Sequence, residues 1–375
     1  MLYKDFKGLS LSALGVGTMR LPTVDGDNAR IDEERSAEMF EYAISKGVNY
    51  FDTAWGYHSG QSEPVVGKIL SKYPREKFYI ASKFPGYDVA NLEKIQEIFD
   101  KQLERCRVEY FDFYLVHTVT ESNIDAYLDE KYGLYKFLLE QKANGRIKHL
   151  GFSVHGSLET TKRFLEGYGE AMEFCQVQLN WIDYDYQKAK DKLELLREWN
   201  IPVWVMEPLR GGKLAKLEEK HEKLLRELRP DETVPAWSFR YLQAFDQVTV
   251  TLSGMSNFEQ LAENIETFET DKPVSAEEAE VLYSIARQML NTVPCTECRY
   301  CIENCPMELE IPELIKLYNK LSFSGRYYVS KAIEEKAEEK RPSACIGCRA
   351  CEQVCPQMIK ISEVFSAFSE KLKNN

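Results

Sequence analysis

Eight of the ten cysteines in this 375-residue chain fall into two copies of one pattern. Cys295, Cys298, Cys301 and Cys305 precede Pro306, and Cys345, Cys348, Cys351 and Cys355 precede Pro356. Both runs read Cys-x-x-Cys-x-x-Cys-x-x-x-Cys-Pro, the spacing that holds 4Fe–4S cubanes. A cubane needs four thiolates around one compact core, so three come from a tight loop and a fourth from farther along. Structural zinc sites use Cys-x-x-Cys pairs rather than a triple with a trailing Cys-Pro. Disulfide frameworks belong to small secreted domains, whereas this chain is long and opens on Met-Leu-Tyr-Lys-Asp with no signal-peptide apolar run. A reducing, cytoplasmic setting is therefore expected. No stretch approaches the roughly 20 apolar residues that cross a bilayer, so no membrane partner is expected either. Cys106 and Cys175 lie in apolar contexts and read as core.

The two runs resemble those of two-cluster bacterial ferredoxins, in which the fourth cysteine ligates the other cluster. That resemblance implies one cluster on Cys295, Cys298, Cys301 and Cys355, and a second on Cys345, Cys348, Cys351 and Cys305. The long spacer, with Ile311 to Leu321 and Tyr327 to Ala337 reading as helices, resembles the helical dicluster kind rather than the compact β-sheet kind. The charged stretch Glu334 to Arg341 reads as a solvated helix. Two neighbouring clusters form a short wire whose natural partner is ferredoxin or another one-electron carrier; the alternative is that they only staple the C-terminus.

The chain is too long for one ordinary core, and the tail marks off a second domain near Leu290 to Pro294, giving 1–290 and 291–375. The formal net charge is −12, while acidic and basic residues balance within 291–375, so the excess acidity belongs to the larger domain. That argues against a nucleic-acid partner. Along the larger domain eight β-branched or aromatic runs alternate with amphipathic segments. The expected strands are Ala13 to Met19, Asn49 to Thr53, Phe78 to Ser82, Phe111 to Val116, Ile147 to Ser153, Phe174 to Leu179, Pro202 to Met206 and Val248 to Leu252. Expected helices include Glu33 to Lys46, Leu92 to Cys106, Ala126 to Gln141, Leu158 to Glu166, Gln187 to Trp199, Val234 to Leu242 and Phe258 to Phe268. Eight such units suit an α/β fold closed as a (β/α)8 TIM barrel, followed by the mainly α-helical dicluster ferredoxin-like domain. Leu2 to Leu11, with Lys7-Gly8 at its turn, reads as a hairpin plugging the barrel's bottom.

Chemistry in such a barrel sits where strands end. Asp52, with Tyr57 in the following loop, Lys83 and His117 fall at successive strand ends. Taken singly each is unremarkable; together they aim a carboxylate, a phenol, an ammonium and an imidazole at one mouth. Phe51-Asp52-Thr53-Ala54-x-x-Tyr57, Ala81-Ser82-Lys83, Asp112-Phe113-Tyr114-Leu115-Val116-His117, Gly151-Phe152-Ser153 and Gly254-x-Ser256-x-x-x-Gln260-Leu261-x-Glu263-Asn264 resemble the aldo-keto reductases over nearly the whole barrel. The resemblance implies Asp52, Tyr57, Lys83 and His117 as a catalytic tetrad that interconverts a small carbonyl and its alcohol. Tyr57 would supply the proton, its pKa brought down by Lys83; Asp52 would keep Lys83 charged; His117 would orient the carbonyl.

The resemblance also implies a site for NADPH or NADH. Ser153 and Gln176 would hold the carboxamide. Pro208, Leu209, Arg210, Gly211, Gly212 and Lys213 would meet the pyrophosphate, with Arg210 and Lys213 offsetting its charge. Gly254, Ser256, Gln260, Glu263 and Asn264 would clamp the adenosine. The arrangement looks closest to the branch that includes the potassium-channel β-subunits, and no Gly-x-Gly-x-x-Gly motif is present. The chain departs from the family pattern at Met206, where a stacking Tyr is usual, at Val154-His155, and in lacking a Lys or Arg in the eighth unit. A nicotinamide gives two electrons and a cluster takes one, so FMN in the barrel mouth is a further candidate. Three function classes follow: an iron-sulfur aldo-keto reductase, which is the leading one, an electron-transfer module whose barrel holds a flavin or nicotinamide, and a redox-responsive binding subunit with little turnover. Substrate selectivity would come from loops Trp55 to Gln61, Phe84 to Val89, Thr118 to Asn123 and Trp181 to Tyr186.

Overall fold

Eight short apolar runs form the staves of one closed parallel barrel: β3 (Leu14–Gly17), β4 (Tyr50–Asp52), β5 (Tyr79–Phe84), β6 (Phe111–Val119), β7 (Ile147–Val154), β8 (Phe174–Gln178), β9 (Val203–Met206) and β10 (Val248–Gly254). They pair in chain order, and β10 returns to β3 through Leu252↔Gly15 and Gly254↔Gly17. A computed structural model describes residues 1–290, 293, 295, 297–321 and 326–373. Asn291 and Pro294, within the expected boundary, lie outside the described residues. The chain divides into two compact units, Met1–Tyr283 and Ser284–Asn375, with the division inside the helix Ala276–Leu290.

Ahead of the barrel, β1 (Tyr3–Phe6) and β2 (Leu9–Ser12) pair antiparallel, Tyr3 with Ser12 and Phe6 with Leu9. The two turn residues have φ of 52° at Lys7 and 86° at Gly8, the left-handed pair that matches the twist of a two-residue hairpin. Phe6 and Leu11 are buried in the cluster formed by Tyr50, Phe113, Phe174 and Trp204. The Phe6 ring meets Trp204 edge-on at 5.0 Å, so the hairpin closes the barrel floor as expected.

Strand periodicity then decides what lies above that floor. Side chains two residues apart share a face. One step beyond the floor residues Tyr50, Ala81, Leu115 and Phe174 therefore come Asp52, Lys83, His117 and Gln176, all buried. Aromatics fill the lower layer and polar groups crown it. Gly151 lies beside this packing: a Cβ there would fall 2.5 to 2.7 Å from three atoms of the buried Phe174 ring.

The helices depart from the sequence reading at identifiable places. Ala126 to Gln141 is not one helix but Ile124–Leu128, a turn at Glu130–Tyr132, and Leu134–Ala143. Gly133, at φ 65°, is the break. Gln187 to Trp199 begins only at Ala189, after left-handed Lys188. Ser62–Leu70, Glu219–Leu228 and Ala276–Leu290 are additional helices. Among the described residues no helix is long and apolar enough to cross a membrane.

The C-terminal unit is helical and internally repeated. Tyr300–Glu303 and Ile311–Leu321 follow the first cysteine run as Ala350–Gln353 and Ile361–Lys373 follow the second. Positive φ recurs in register, at Glu297, Arg299 and Glu308 and again at Gly347, Arg349 and Met358. Leu309, Ile311 and Ile315 pack with Ile359, Ile361 and Phe365 in one core. Between the halves, Arg326–Glu334 is the second spacer helix, shorter than expected. The stretch Glu334 to Arg341 is not helical throughout: Arg341 turns back so that its guanidinium donates to the carbonyls of Lys336 at 3.0 Å and Glu334 at 2.9 Å, closing the helix end.

Gly151→Ala should destabilise the barrel by about 1–3 kcal/mol through overpacking against Phe174. The thermal unfolding midpoint would read this as a fall of several degrees, and an unchanged midpoint would contradict the packing described.

Candidate active site and cluster-binding loops

At the C-terminal ends of β4 and β5 the chain buries an ion pair. Lys83 has no exposed side-chain surface, and its Nζ donates to Asp52 Oδ1 at 2.6 Å, to the Thr53 carbonyl at 2.8 Å and to Tyr57 Oη at 3.2 Å. Burial alone would drive the ammonium toward neutrality. Asp52 and Tyr57 outweigh it, so the pKa of Lys83 is raised and the charge is held.

Tyr57 behaves differently from the sequence expectation. The residue is half-buried, and its hydroxyl lies against the buried ammonium. Desolvation raises its pKa above 10, Lys83 pulls it down, Asp52 adds to the rise, and the net direction is upward. Lys83 limits the rise rather than producing a fall, and the phenol keeps its proton at neutral pH. His117 has its pKa well below the ordinary imidazole value, first through burial and then through Lys83 and His155. Its ring is therefore neutral, stands edge-on to Tyr57 at 6.1 Å and to Tyr87 at 5.4 Å, and its buried Nδ1 makes no hydrogen bond.

Several residues outside the sequence reading hold this group. Gln102 donates to the Lys83 carbonyl at 3.0 Å and to Glu63 Oε1 at 2.6 Å, while Ser82 Oγ donates to the same Glu63 oxygen at 2.7 Å. Burial raises the pKa of Glu63, and the Ser82 and Gln102 bonds oppose that rise. His58, beside Tyr57, accepts from the Leu21 amide at its Nε2 (3.1 Å) and faces the Asn28 carbonyl with its Nδ1 (2.9 Å). That pattern uses both nitrogens of a neutral ring and ties the loop after β3 to the tyrosine loop. A buried acid in the first turn of a helix, like Glu63 in Ser62–Leu70, leaves no mark in a sequence.

Of the expected cofactor residues, Gln176 Nε2 donates to Asp52 Oδ2 at 2.8 Å, and Ser153 Oγ accepts from the Thr118 amide at 2.7 Å. Pro208, Leu209, Gly211, Gly212, Gly254, Ser256, Gln260, Glu263 and Asn264 line one open groove of about 230 Å³. Within it the Ser256 amide donates to Gln260 Oε1 at 2.8 Å, and Glu263 Oε1 is buried without a hydrogen-bond partner. An orphaned carboxylate oxygen and a glycine-lined wall fit the adenosine and phosphate ends of a dinucleotide. Arg210 and Lys213 do not line the groove: Arg210 is buried and its Nε donates to both oxygens of Asp183, at 2.9 and 3.1 Å. Arg20 lines it instead. It sits just past the first barrel strand, where a polar residue beyond a strand's end was the available signal. A larger cavity, about 660 Å³, opens between the helices Leu134–Ala143 and Leu158–Tyr168 and contains none of these groups.

In the C-terminal unit, Cys305, Cys345, Cys348 and Cys351 line one small cavity. Cys351 is pushed up to about 12 by burial, then by Cys305 and Cys345. Cys301 is pushed up to about 11 by burial, with Cys295, Cys298 and Cys355 adding to the rise. Cys305 of the first run thus lies with three thiols of the second, Cys355 is among the groups that act on Cys301, and Cys301 itself acts weakly on Cys351. Among the described residues no three His, Cys, Asp or Glu side chains converge as a single-ion site. Cys106 and Cys175 are buried in the barrel unit.

Comparison with known proteins covers both parts of the chain. The aldo/keto reductase family model matches residues 13–287, and the 4Fe-4S dicluster domain model matches residues 294–359. A probable aldo-keto reductase 1 from Glycine max is 31% identical over 215 residues, 55% of this chain and 58% of that protein. The chain thus spans little more than half of this relative. The NADH-specific methylglyoxal reductase of Escherichia coli K12 is 26% identical over 55% of this chain and 66% of its own length. Among solved structures, the holo form of aldo-keto reductase AKR11C1 from Bacillus halodurans superposes with a TM-score of 0.63 at 26% identity, covering 76% of this chain and 96% of that one. The chain belongs to the aldo/keto reductase family and carries a C-terminal 4Fe-4S dicluster domain.

Proposed function

We propose that the barrel interconverts a small carbonyl compound and its alcohol with NADPH or NADH, and that residues 291–375 hold two 4Fe–4S clusters that exchange single electrons with ferredoxin or another carrier. The observation that carries the first part is the buried Lys83 ammonium bonded to both Asp52 and Tyr57. A reduced nicotinamide, when bound, supplies a hydride to the carbonyl carbon. Tyr57 gives its proton to the carbonyl oxygen, and the phenolate left behind is stabilised by Lys83 at 3.2 Å. Asp52 keeps that ammonium charged although both side chains are buried. Neutral His117, with its Nδ1 unpartnered, orients the carbonyl oxygen. The E. coli relative, a methylglyoxal reductase specific for NADH, supports a small aldehyde or ketone as the substrate class. The mixed thiol sets around Cys301 and Cys351 support one cluster on Cys295, Cys298, Cys301 and Cys355 and another on Cys345, Cys348, Cys351 and Cys305.

Tyr57→Phe should keep nucleotide binding and lower kcat for aldehyde reduction by about a hundredfold or more. Near-normal turnover would remove Tyr57 as the acid. Because the phenol's pKa lies above 10, kcat/KM for reduction should stay level through neutral pH and fall only in the alkaline range as the proton is lost. A fall centred near neutrality would mean that Lys83, not burial, dominates. For the clusters, either Cys298→Ser or Cys355→Ser should remove about half of the iron and labile sulfide. The two together should remove no more than either alone, while Cys348→Ser with Cys355→Ser should empty both sites; the opposite pattern would exclude exchanged ligands.

A further inference from the structure

The two cysteine runs share one backbone pattern, so each copy serves as a control for the other, and their surfaces differ. In both, a left-handed arginine follows the second cysteine, Arg299 at φ 68° and Arg349 at φ 60°. Arg299 is neutralised by Glu310 at 3.0 Å. Five residues after the last cysteine, where the first run has Glu310, the second has Lys360. Arg349 and Lys360 are both exposed, and among the described residues neither makes an ion pair. Glu352, the acid within reach of both, instead accepts from the Ser362 amide at 2.9 Å. Residues 295–310 contain four Glu and one Arg, a net charge of −3, whereas 345–360 contain one Glu, one Arg and one Lys, a net charge of +1.

The positive copy is also the one with apolar surface beside its thiols. Ile346 is 63% exposed and Cys348 is exposed, and both line the cavity of Cys305, Cys345 and Cys351 together with Arg349, Pro306 and Met307. The carboxylate in the turn after Cys305, Glu308, is met by Lys340 at 3.2 Å.

We infer that the face around Ile346 and Arg349 is where an acidic one-electron carrier protein docks, so that electrons cross through the thiol set of the second run rather than the first. This rests on the reading that residues 291–375 hold clusters that exchange single electrons. One electron passes between the cluster and the carrier's own redox centre, with no bond made or broken. The apolar centre supplies contact area, and unpaired cations at its rim attract a carrier of opposite charge and raise the encounter rate. The same carrier is repelled at the first run, where the corresponding segment is net negative.

Two haem proteins that each take one electron, acidic cytochrome b5 and basic cytochrome c, serve as probes of the anaerobically purified, cluster-loaded full chain. Calorimetric titration with cytochrome b5 reads docking. Stopped-flow mixing of each probe with chain reduced by dithionite and freed of excess reductant reads transfer. Arg349→Gln and Lys360→Gln should each raise Kd and lower the second-order rate for cytochrome b5 by about fivefold or more at low ionic strength, converging on wild type as salt is added. Arg299→Gln, the same change in the first copy, should leave both values within about twofold. Convergence at high salt separates lost attraction from an altered cluster potential, which would slow transfer at every salt concentration. Lys360→Gln, outside the cysteine run, keeps the test intact if Arg349→Gln loses iron. Equal effects at Arg299 and Arg349, no effect at Arg349 and Lys360, or faster transfer to cytochrome c than to cytochrome b5 at low salt would overturn the assignment. So would a wild-type dimer that Arg349→Gln dissociates, which gives the face to a second copy of the chain. Cluster-loaded wild type that reduces neither probe would instead bring down the electron-exchange reading itself, and the docking face with it.

Discussion

An ammonium with no exposed surface, bonded to a carboxylate, a carbonyl and a phenol oxygen, is the constraint around which the barrel mouth is arranged. A charge in that position is tolerable only if every neighbour is placed to compensate it. Removing one partner of such a pair typically destabilises by about 3–5 kcal/mol. Lys83 draws β4 and β5 together through Asp52. Asp52 in turn accepts from Gln176 on β8, so three staves of the barrel are registered by two hydrogen bonds that share one carboxylate. The Gln102, Ser82 and Glu63 network fixes the strand that carries the lysine from its outer face.

The opposing forces at Tyr57 show how burial and charge compete within one side chain. A neighbouring cation favours the phenolate, yet the same dry surroundings that give the cation its leverage penalise any new charge more strongly. The phenol therefore stays protonated, in contrast to what proximity to Lys83 alone suggests. This is consistent with a proton donor, which must hold its proton until charge develops elsewhere. Neutral His117 follows from the same surroundings.

Most of the architecture was legible in the sequence because it is written at short range. Apolar runs such as Phe111 to Val116 mark strands whatever surrounds them, and the two-residue repeat places Asp52, Lys83 and His117 one step above floor residues. The cysteine spacing is equally local. Long-range choices were not legible. Arg210 and Arg20 both lie near glycines expected at the groove, but only the fold brings Asp183 onto one of them and leaves the other facing the groove. Gly133 could have sat in a continuous helix, as the apolar pattern of Ala126 to Gln141 suggested, and its left-handed φ is a property of the packed loop. The end of the helix Arg326–Glu334 depends on Arg341 folding back from beyond it.

The repeated C-terminal unit has a topological property that neither copy has by itself. Cys305 shares a cavity with Cys345, Cys348 and Cys351, and Cys355 lies within electrostatic reach of Cys301. Under the proposed exchange of ligands, each run supplies the fourth thiol of the other's cluster. Separating the halves would on that reading leave two incomplete cages rather than two smaller working ones, so the halves would be interdependent in the manner of clasped hands.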